Sequence, residues 1–510
     1  MPRVNQLKVG VIITYITLIL GNLIPIIYTP IMLRIIGQDE YGLYNIARSA
    51  VSYLSLLSFG VGNSMVRYIS KYRALDDREN EEKTFGLFLM VYAVLSLLVM
   101  GLGIVLSLNT ELVFSRTFEG EDFSRMRILL ILMSLNVVIT FIGTVFSSVI
   151  VAHERFIFNK LLALFTTFLS PAASLVMLYM GYASIGMAAA TVLVGVVSLV
   201  GNFLYCRYKL KIRPRFRNPS FEALREIIRF SLFIFLAEIA NILYFATDKV
   251  LLGVFVSKAA VSVYTIGATF SDYMNMFTTG ISSVMMPRIT SMVFKGASQD
   301  EINSIFIRIG RLQFIIVSFV LSAFIVFGRQ FMPIFAGEGY SDSYIVALII
   351  MIPLSVPLIQ SVAVNIITAK NKHKFRSVTL LCVAAANVIL TLIMLKLGFG
   401  YIGAAIASAI AYVVGTIFIL NWYYYKKIGL DIPLFWKNIA KLLPTPVIML
   451  VAGLAVTHFV DVSGIVRFVI GAVIFTVIYF AFLIPTLNEY EKNLFFSPFK
   501  KIKGKLKGAN

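Results

Sequence analysis

The chain has 510 residues, 59% of them hydrophobic and only 14% charged, with a mean hydropathy of +0.88. Soluble domains carry roughly a quarter charged residues, so a water-soluble globule of this size is excluded. The net charge of +20 would suit a nucleic-acid binder. The basic residues instead lie in loops between long apolar blocks, where they set topology and attract anionic headgroups, and no nucleic-acid partner is expected.

Runs of about 18 or more apolar residues read as membrane-spanning helices, because about 20 residues cross the hydrocarbon core with every backbone polar group satisfied internally. In chain order the runs fall at 9–33, 44–66, 84–108, 128–151, 161–180, 184–206, 230–253, 259–286, 308–328, 344–369, 377–396, 401–425, 442–460 and 466–487. The first is no cleavable signal, since Lys8 and Arg34 enclose 25 uncharged residues and no small-x-small site follows. The 46 uncharged residues from Leu161 to Cys206 divide at Gly181-Tyr-Ala-Ser-Ile-Gly186, a tight turn, and Gly398-Phe-Gly-Tyr-Ile-Gly403 resembles it. Cys206 and Cys382 lie in or beside apolar blocks and read as inert core residues. His153, His373 and His458 lack metal-ligand spacing, so no metal or other cofactor is expected.

With the N-terminus inside and loops assigned alternately, the cytoplasmic segments hold 35 of the 45 Lys and Arg. Arg207 to Arg229 contributes eight and the tail Lys492 to Lys507 six. The positive-inside rule therefore puts both ends in the cytoplasm. Spans 1–6 and 7–12 read as copies. Leu43-Tyr-Asn-Ile46 matches Val263-Tyr-Thr-Ile266, and Tyr53 and Gly60 match Tyr273 and Gly280, all at an offset of 220. At 217, Ala152, Phe158, Gly181 and Gly186 match Ala369, Phe375, Gly398 and Gly403. Six spans per copy give a parallel repeat about an axis along the membrane normal, a recurrent transporter plan with substrate bound between the halves. The expected fold is an all-α integral membrane protein of about 14 transmembrane helices. An N-terminal lobe occupies 1–213, a C-terminal lobe 214–428, and a helix pair with a basic cytoplasmic tail 429–510.

Charges within spans are costly and mark function by default. In the second span Asn45, Arg48, Ser52, Ser55 and Asn63 fall within an arc of about 80° at 100° per residue. Thr265, Asp272, Asn275, Thr279 and Ser283 do so in the eighth. The N-terminal half offers cations, Arg48 with Arg34 nearby. The C-terminal half offers Glu238, Asp272 and the pair Asp248-Lys249, with Glu238, Asn241 and Asp248 on one face of the seventh span. In one reading Arg48 holds an anionic group in a central cavity, because its planar fork grips phosphate oxygens bidentately. Arg34, Asn45, Ser52, Asn275 and Lys249 are then cavity candidates, and Glu238, Asp272 and Asp248 candidates for binding a coupling H⁺ or Na⁺. In the competing reading Arg48 snorkels to water, Asp248-Lys249 is a neutralising pair near a helix end, and Glu238 is protonated at a helix interface. No Walker A loop, Gly-x-Ser-x-Gly or metal spacing is present. Neither ATP-driven transport nor enzyme catalysis is expected of this chain.

The segment Gly37-Gln-Asp-Glu-Tyr-Gly-Leu-Tyr-Asn-Ile-Ala-Arg48, with Gly60 and Val66-Arg-Tyr68, resembles the opening of the Wzx-type polysaccharide flippases. These belong to the multidrug/oligosaccharidyl-lipid/polysaccharide superfamily. Asp248-Lys249 and Val263-Tyr264 resemble the start of that family's second half, and the likeness runs over essentially the whole chain. It implies movement of an undecaprenyl-pyrophosphate-linked oligosaccharide from the inner to the outer leaflet of the bacterial cytoplasmic membrane, driven by ion antiport. The last two spans would hold the lipid tail, as in the related lipid II flippase, and polysaccharide polymerase machinery is an implied partner. Arg48 falls where that relative has a cavity arginine, whereas Ala268 stands where a second cation is expected, which argues against lipid II itself. A cation-coupled multidrug antiporter shares the repeat and the membrane carboxylates. A lipid II-type flippase is a further alternative. A scaffold for polysaccharide enzymes would explain the basic loops but not the paired polar stripes.

Overall fold

The computed structural model describes residues 6–58, 61–216, 235, 238–244, 246–459 and 464–493. Every regular element among them is helical. The chain forms two compact units, Met1–Thr265 with Leu380–Ala407, and Ile266–Thr379 with Ser408–Asn510.

The first unit opens with α1 (Gln6–Ile36), α2 (Gln38–Ser55), α3 (Val61–Ala74), α4 (Arg78–Leu108) and the short α5 (Thr110–Phe114). It continues with α6 (Glu121–Ala152), α7 (Phe156–Tyr179), α8 (Ala183–Leu204) and α9 (Thr247–Phe255). α6 lies at its centre, packed against α2, α3, α4 and α8, while α1 packs on α7 and α9 on α2. Helices outrun their apolar cores where a cap exists. The apolar run from 84 lies in a helix that begins at Arg78, because the Asp77 carboxylate accepts the Asn80 backbone N–H at 3.0 Å. The expected span 44–66 is not one straight helix but α2, a 3₁₀ turn at Leu56–Ser58, and α3.

α10 (Lys258–Phe294) begins in the first unit and ends in the second. The second unit is built around α11 (Gln299–Ala336), which a Ser298–Glu301 capping box starts. The span expected at 344–369 breaks at Gln360 into α12 (Ser343–Ile359) and α13 (Ser361–Ala369). Pro353 and Pro357 remove two ladder donors just before the break, and Gln360 donates instead to the Asn421 side chain at 2.8 Å. α14 (Lys374–Lys396) and α15 (Gly400–Tyr412) follow, both shared between the units. α16 (Ile432–Ala440), α17 (Pro444–Phe459) and α18 (Ile465–Leu483) then pack against α11 around Ile315, Val326, Leu442, Met449 and Tyr479. A buried ion pair pins this end. Arg311 grips Glu491 with two hydrogen bonds, Nε at 2.6 Å and Nη2 at 2.8 Å, and donates to the Asn438 carbonyl at 2.8 Å.

Among the described residues nine helices are long and apolar enough to cross a membrane. The pair Ile432–Ala440 and Pro444–Thr457, bent by 46°, would make a tenth. Leu23–Ile36 is a shorter apolar helix, and much of the expected span 230–253 lies outside the described residues. The chain is thus a multi-pass integral membrane protein.

The repeat is visible in the backbone. Among the described residues, twelve of the fourteen with positive φ fall into six pairs 217 to 220 positions apart: Asp76 and Gly296, Gly120 and Gly337, Glu154 and Asn371, Gly181 and Gly398, Ala183 and Gly400, Lys211 and Gly429. The Gly181 turn closes with Tyr182 N–H on the Met177 carbonyl at 3.1 Å, and the Gly398 turn with Phe399 N–H on Met394 at 3.1 Å. Gly186 and Gly403 then cross so tightly that a Cβ on either would lie 2.7 Å from the Cβ of Tyr182 or Phe399. Phe158 stacks on Tyr205 at 3.9 Å, and Phe375 on Tyr423 at 4.3 Å. Each copy ends in a π-helical stretch, Tyr205–Leu210 and Tyr424–Ile428.

Candidate functional site

The polar face of α2 is built from residues that satisfy themselves locally. Asn45 is buried and donates to the Tyr41 carbonyl at 2.8 Å. Ser52 and Ser55 are half-buried and donate to the Ser49 and Ser52 carbonyls, each at 2.6 Å. Such bonds occupy the hydroxyl hydrogens and leave the oxygens able to accept. Arg48 and Arg34 are exposed, at mid-α2 and near the end of α1. The Asn63 side chain and Gly60 lie outside the described residues.

α9 meets α2 through Tyr53, whose hydroxyl lies 2.5 Å from Thr247 Oγ1. The next residue is Asp248, whose side chain is fully buried. One carboxylate oxygen accepts from Tyr264 Oη at 2.6 Å and the other from Thr391 Oγ1 at 2.9 Å. A carboxylate this far from water is expensive unless hydrogen-bonded or protonated. The first copy has the same junction without the charge. Tyr28, 220 positions before Asp248, hydrogen-bonds Ser174 with Tyr44 close by, and these two correspond to Thr391 and Tyr264. The fold therefore closes this junction with a phenol in one copy and a carboxylate in the other.

Lys249 is half-buried beside Asp248, and Glu238 is exposed within the helical residues 238–244. Asp272 is exposed and Asn275 half-buried, both on α10 in the second unit. Asn275 offers its carbonyl to Thr278 at 2.9 Å and Thr279 at 3.0 Å.

Sequence reading passed over a second polar cluster in the first unit, where α2, α6, α8 and the start of α10 converge. Glu40 accepts from both Arg125 and Ser184, and Arg125 also pairs with Glu121 at 3.0 Å. Lys258 pairs with Asp122 at 2.6 Å, and Ser262 donates to the Gln38 carbonyl. Gly42 lets α2 approach so closely that a Cβ there would lie 2.0 Å from the Lys258 carbonyl oxygen. Glu40 and Gly42 belong to the Gly37–Arg48 motif, which was the available signal. Their partners are 80 to 220 residues away, and no local pattern announces them.

Comparison with known proteins follows the same lines. A search against solved structures finds the lipid II flippase MurJ in an inward closed conformation, with TM-score 0.69 at 16% identity over 96% of this chain and 99% of that one. It also finds an inward-facing multidrug resistance MATE family transporter of the MOP superfamily, with TM-score 0.62 at 15% identity over 82% of this chain and 98% of that one. At such identities the likeness establishes the fold. Among curated proteins, the probable low-salt glycan biosynthesis flippase Agl15 of Haloferax volcanii is 22% identical over 272 residues, 51% of this chain and 54% of that protein. The chain thus spans about half the length of the curated relative it matches. The model of the family described as polysaccharide biosynthesis protein matches residues 7–293, more than half of the chain, and the chain belongs to that family.

Proposed function

We propose that this protein flips an undecaprenyl-pyrophosphate-linked oligosaccharide from the inner to the outer leaflet of the bacterial cytoplasmic membrane, with both termini cytoplasmic and an ion gradient as the driving force. The observation that carries the reading is family membership over residues 7–293, joined to a curated glycan flippase as a relative. The fold likeness favours a lipid flippase over a drug antiporter, since it extends over 96% of the chain for the former and 82% for the latter.

In this reading Arg48 binds the pyrophosphate, with Arg34, Asn45, Ser52, Lys249 and Asn275 along its path. Arginine suits the task because its charge persists at any working pH and its fork matches phosphate oxygens. Asp248 is the preferred coupling residue, ahead of Glu238 and Asp272. The first copy closes the same junction with Tyr28 and Ser174, so packing does not require a charge there. Tyr264 and Thr391 hold both carboxylate oxygens, an arrangement that can stabilise an anion and take up H⁺ or Na⁺ as substrate moves.

The test is the sidedness of lipid-linked oligosaccharide in cells lacking the protein, read with a glycan-modifying enzyme that cannot cross the membrane. Accumulation of protected inner-leaflet oligosaccharide, reversed by the wild-type gene and not by Arg48→Ala, is the expected result. Unchanged exposure of every lipid-linked glycan, with altered sensitivity to cationic drugs, would replace the flippase with an antiporter.

A further inference from the structure

A cavity of about 480 Å³ opens inside the first unit between α3, α6, α7 and α8, within the roughly 300–1,000 Å³ usual for small-molecule sites. Its lining contains no charged and no aromatic residue. Its polar side chains are hydroxyls and amides alone, among them Thr140, Thr144, Ser147, Thr166, Ser198 and Asn159. Thr140 and Thr144 donate to the Asn136 and Thr140 carbonyls, each at 2.8 Å, and Thr166 to the Ala163 carbonyl at 2.9 Å. With those hydrogens engaged, the hydroxyl oxygens are left to accept. Asn202 is 4% exposed, yet its Oδ1 accepts no hydrogen bond among the described residues. That oxygen is shielded from the void as well as from solvent, so the accepting groups on the wall are the hydroxyl oxygens.

The second copy carries different side chains at two of these positions. Gln360 stands 217 positions after Gly143 and bonds Asn421 at 2.8 Å, and Leu420 stands 218 positions after Asn202. Both are buried.

We infer that this cavity is a glycan site, binding neutral sugar hydroxyls of the transported lipid-linked oligosaccharide. The inference rests on the flippase reading and adds where the sugar sits and by which groups. Without a Lys or Arg in the lining the cavity is unsuited to the diphosphate. Its acceptor-rich wall suits a ligand presenting several O–H donors. Lacking aromatic rings, it would recognise the hydroxyl edge of a sugar rather than its face.

Gly143 is the position for a probe, since a Cβ there meets nothing within 4 Å and a larger side chain enters open space. The photocrosslinking residue p-benzoylphenylalanine, placed at Gly143 or at Ser55, two turns from Arg48 along the same face of α2, in the full-length protein in its native cells, is irradiated and the adducts are weighed. The expected adduct at Gly143 carries hexose or hexosamine mass. Thr144→Val, which removes a lining hydroxyl at nearly constant shape, should lower its yield roughly tenfold, as loss of one hydrogen bond predicts, while leaving the adduct at Ser55 unchanged. A phospholipid adduct, or none, at Gly143 beside a glycan-lipid adduct at Ser55 would overturn the glycan site and leave the flippase reading intact. If neither position captures a glycan and lipid-linked oligosaccharide sidedness is independent of the protein, both readings fall.

Discussion

Two of the buried carboxylates make different predictions. Glu491 faces Arg311 in a bidentate pair with both side chains almost wholly shielded. Removing one partner strands a charge, which costs about 3–5 kcal/mol, whereas replacing both with apolar residues of similar volume is often neutral. Denaturation in detergent should therefore find Arg311→Leu or Glu491→Leu severely destabilised and the double variant close to wild type. Equal destabilisation in all three would show that packing, not charge, holds this end. Asp248 is held by two hydroxyls, Tyr264 and Thr391. Asp248→Asn keeps an acceptor for one of them, so the protein should fold and reach the membrane at normal levels. Ion-coupled flipping should fall to the level of Arg48→Ala. Normal transport in that variant would move the coupling role to Glu238 or Asp272.

At the scale of elements, three glycine contacts govern how helices meet and one cap governs where a helix starts. Gly186 and Gly403 sit at equivalent crossings, where an added methyl would come within 2.9 Å of a neighbouring Cβ. Gly186→Ala and Gly403→Ala should each cost about 1–3 kcal/mol by overpacking, and similar costs in a melting series would support equivalent roles in the two copies. Gly42→Ala meets backbone, the Lys258 carbonyl at 2.0 Å, so α2 or α10 must shift. A double-mutant cycle with Asp122→Asn should then reveal coupling of about 0.5–3 kcal/mol, and strict additivity would separate the glycine contact from the Asp122–Lys258 pair. The α4 cap is pH-sensitive by design of its chemistry. The Asn80 backbone N–H, then its side-chain amide, hold the Asp77 carboxyl below its ordinary range. A carboxyl with a depressed folded value stabilises above its unfolded titration range and loses that stabilisation as pH falls through the folded one. Asp77→Asn retains an acceptor but should flatten this acid-side loss in a melting series.

For the whole molecule, composition and apolar run length dictated an all-helical membrane protein, because no other arrangement satisfies the backbone in hydrocarbon. Fusing a cytoplasm-dependent reporter to either terminus should give activity in both cases, as the basic loops require; activity at one end alone would mean an odd number of crossings. The repeat was legible because glycine turns leave a residue signature, Gly181–Gly186 against Gly398–Gly403, and the backbone follows it through six pairs of positive-φ positions. The polar stripes marked Arg48, Asn45 and Ser52 as one face of α2. Partners over long separations were not legible: Asp248 with Thr391, Glu40 with Arg125 and Ser184, Arg311 with Glu491. Nor was the cavity, since serines and threonines at helical spacing read alike whether they line a void or bond their own helix. Sequence alone thus determined the class and the repeat, which depend on periodicity along the chain. The burial of Asp248, the Glu40–Lys258 cluster and the void beside Asn202 were decided only by tertiary packing, because each depends on which distant helix fills the space opposite.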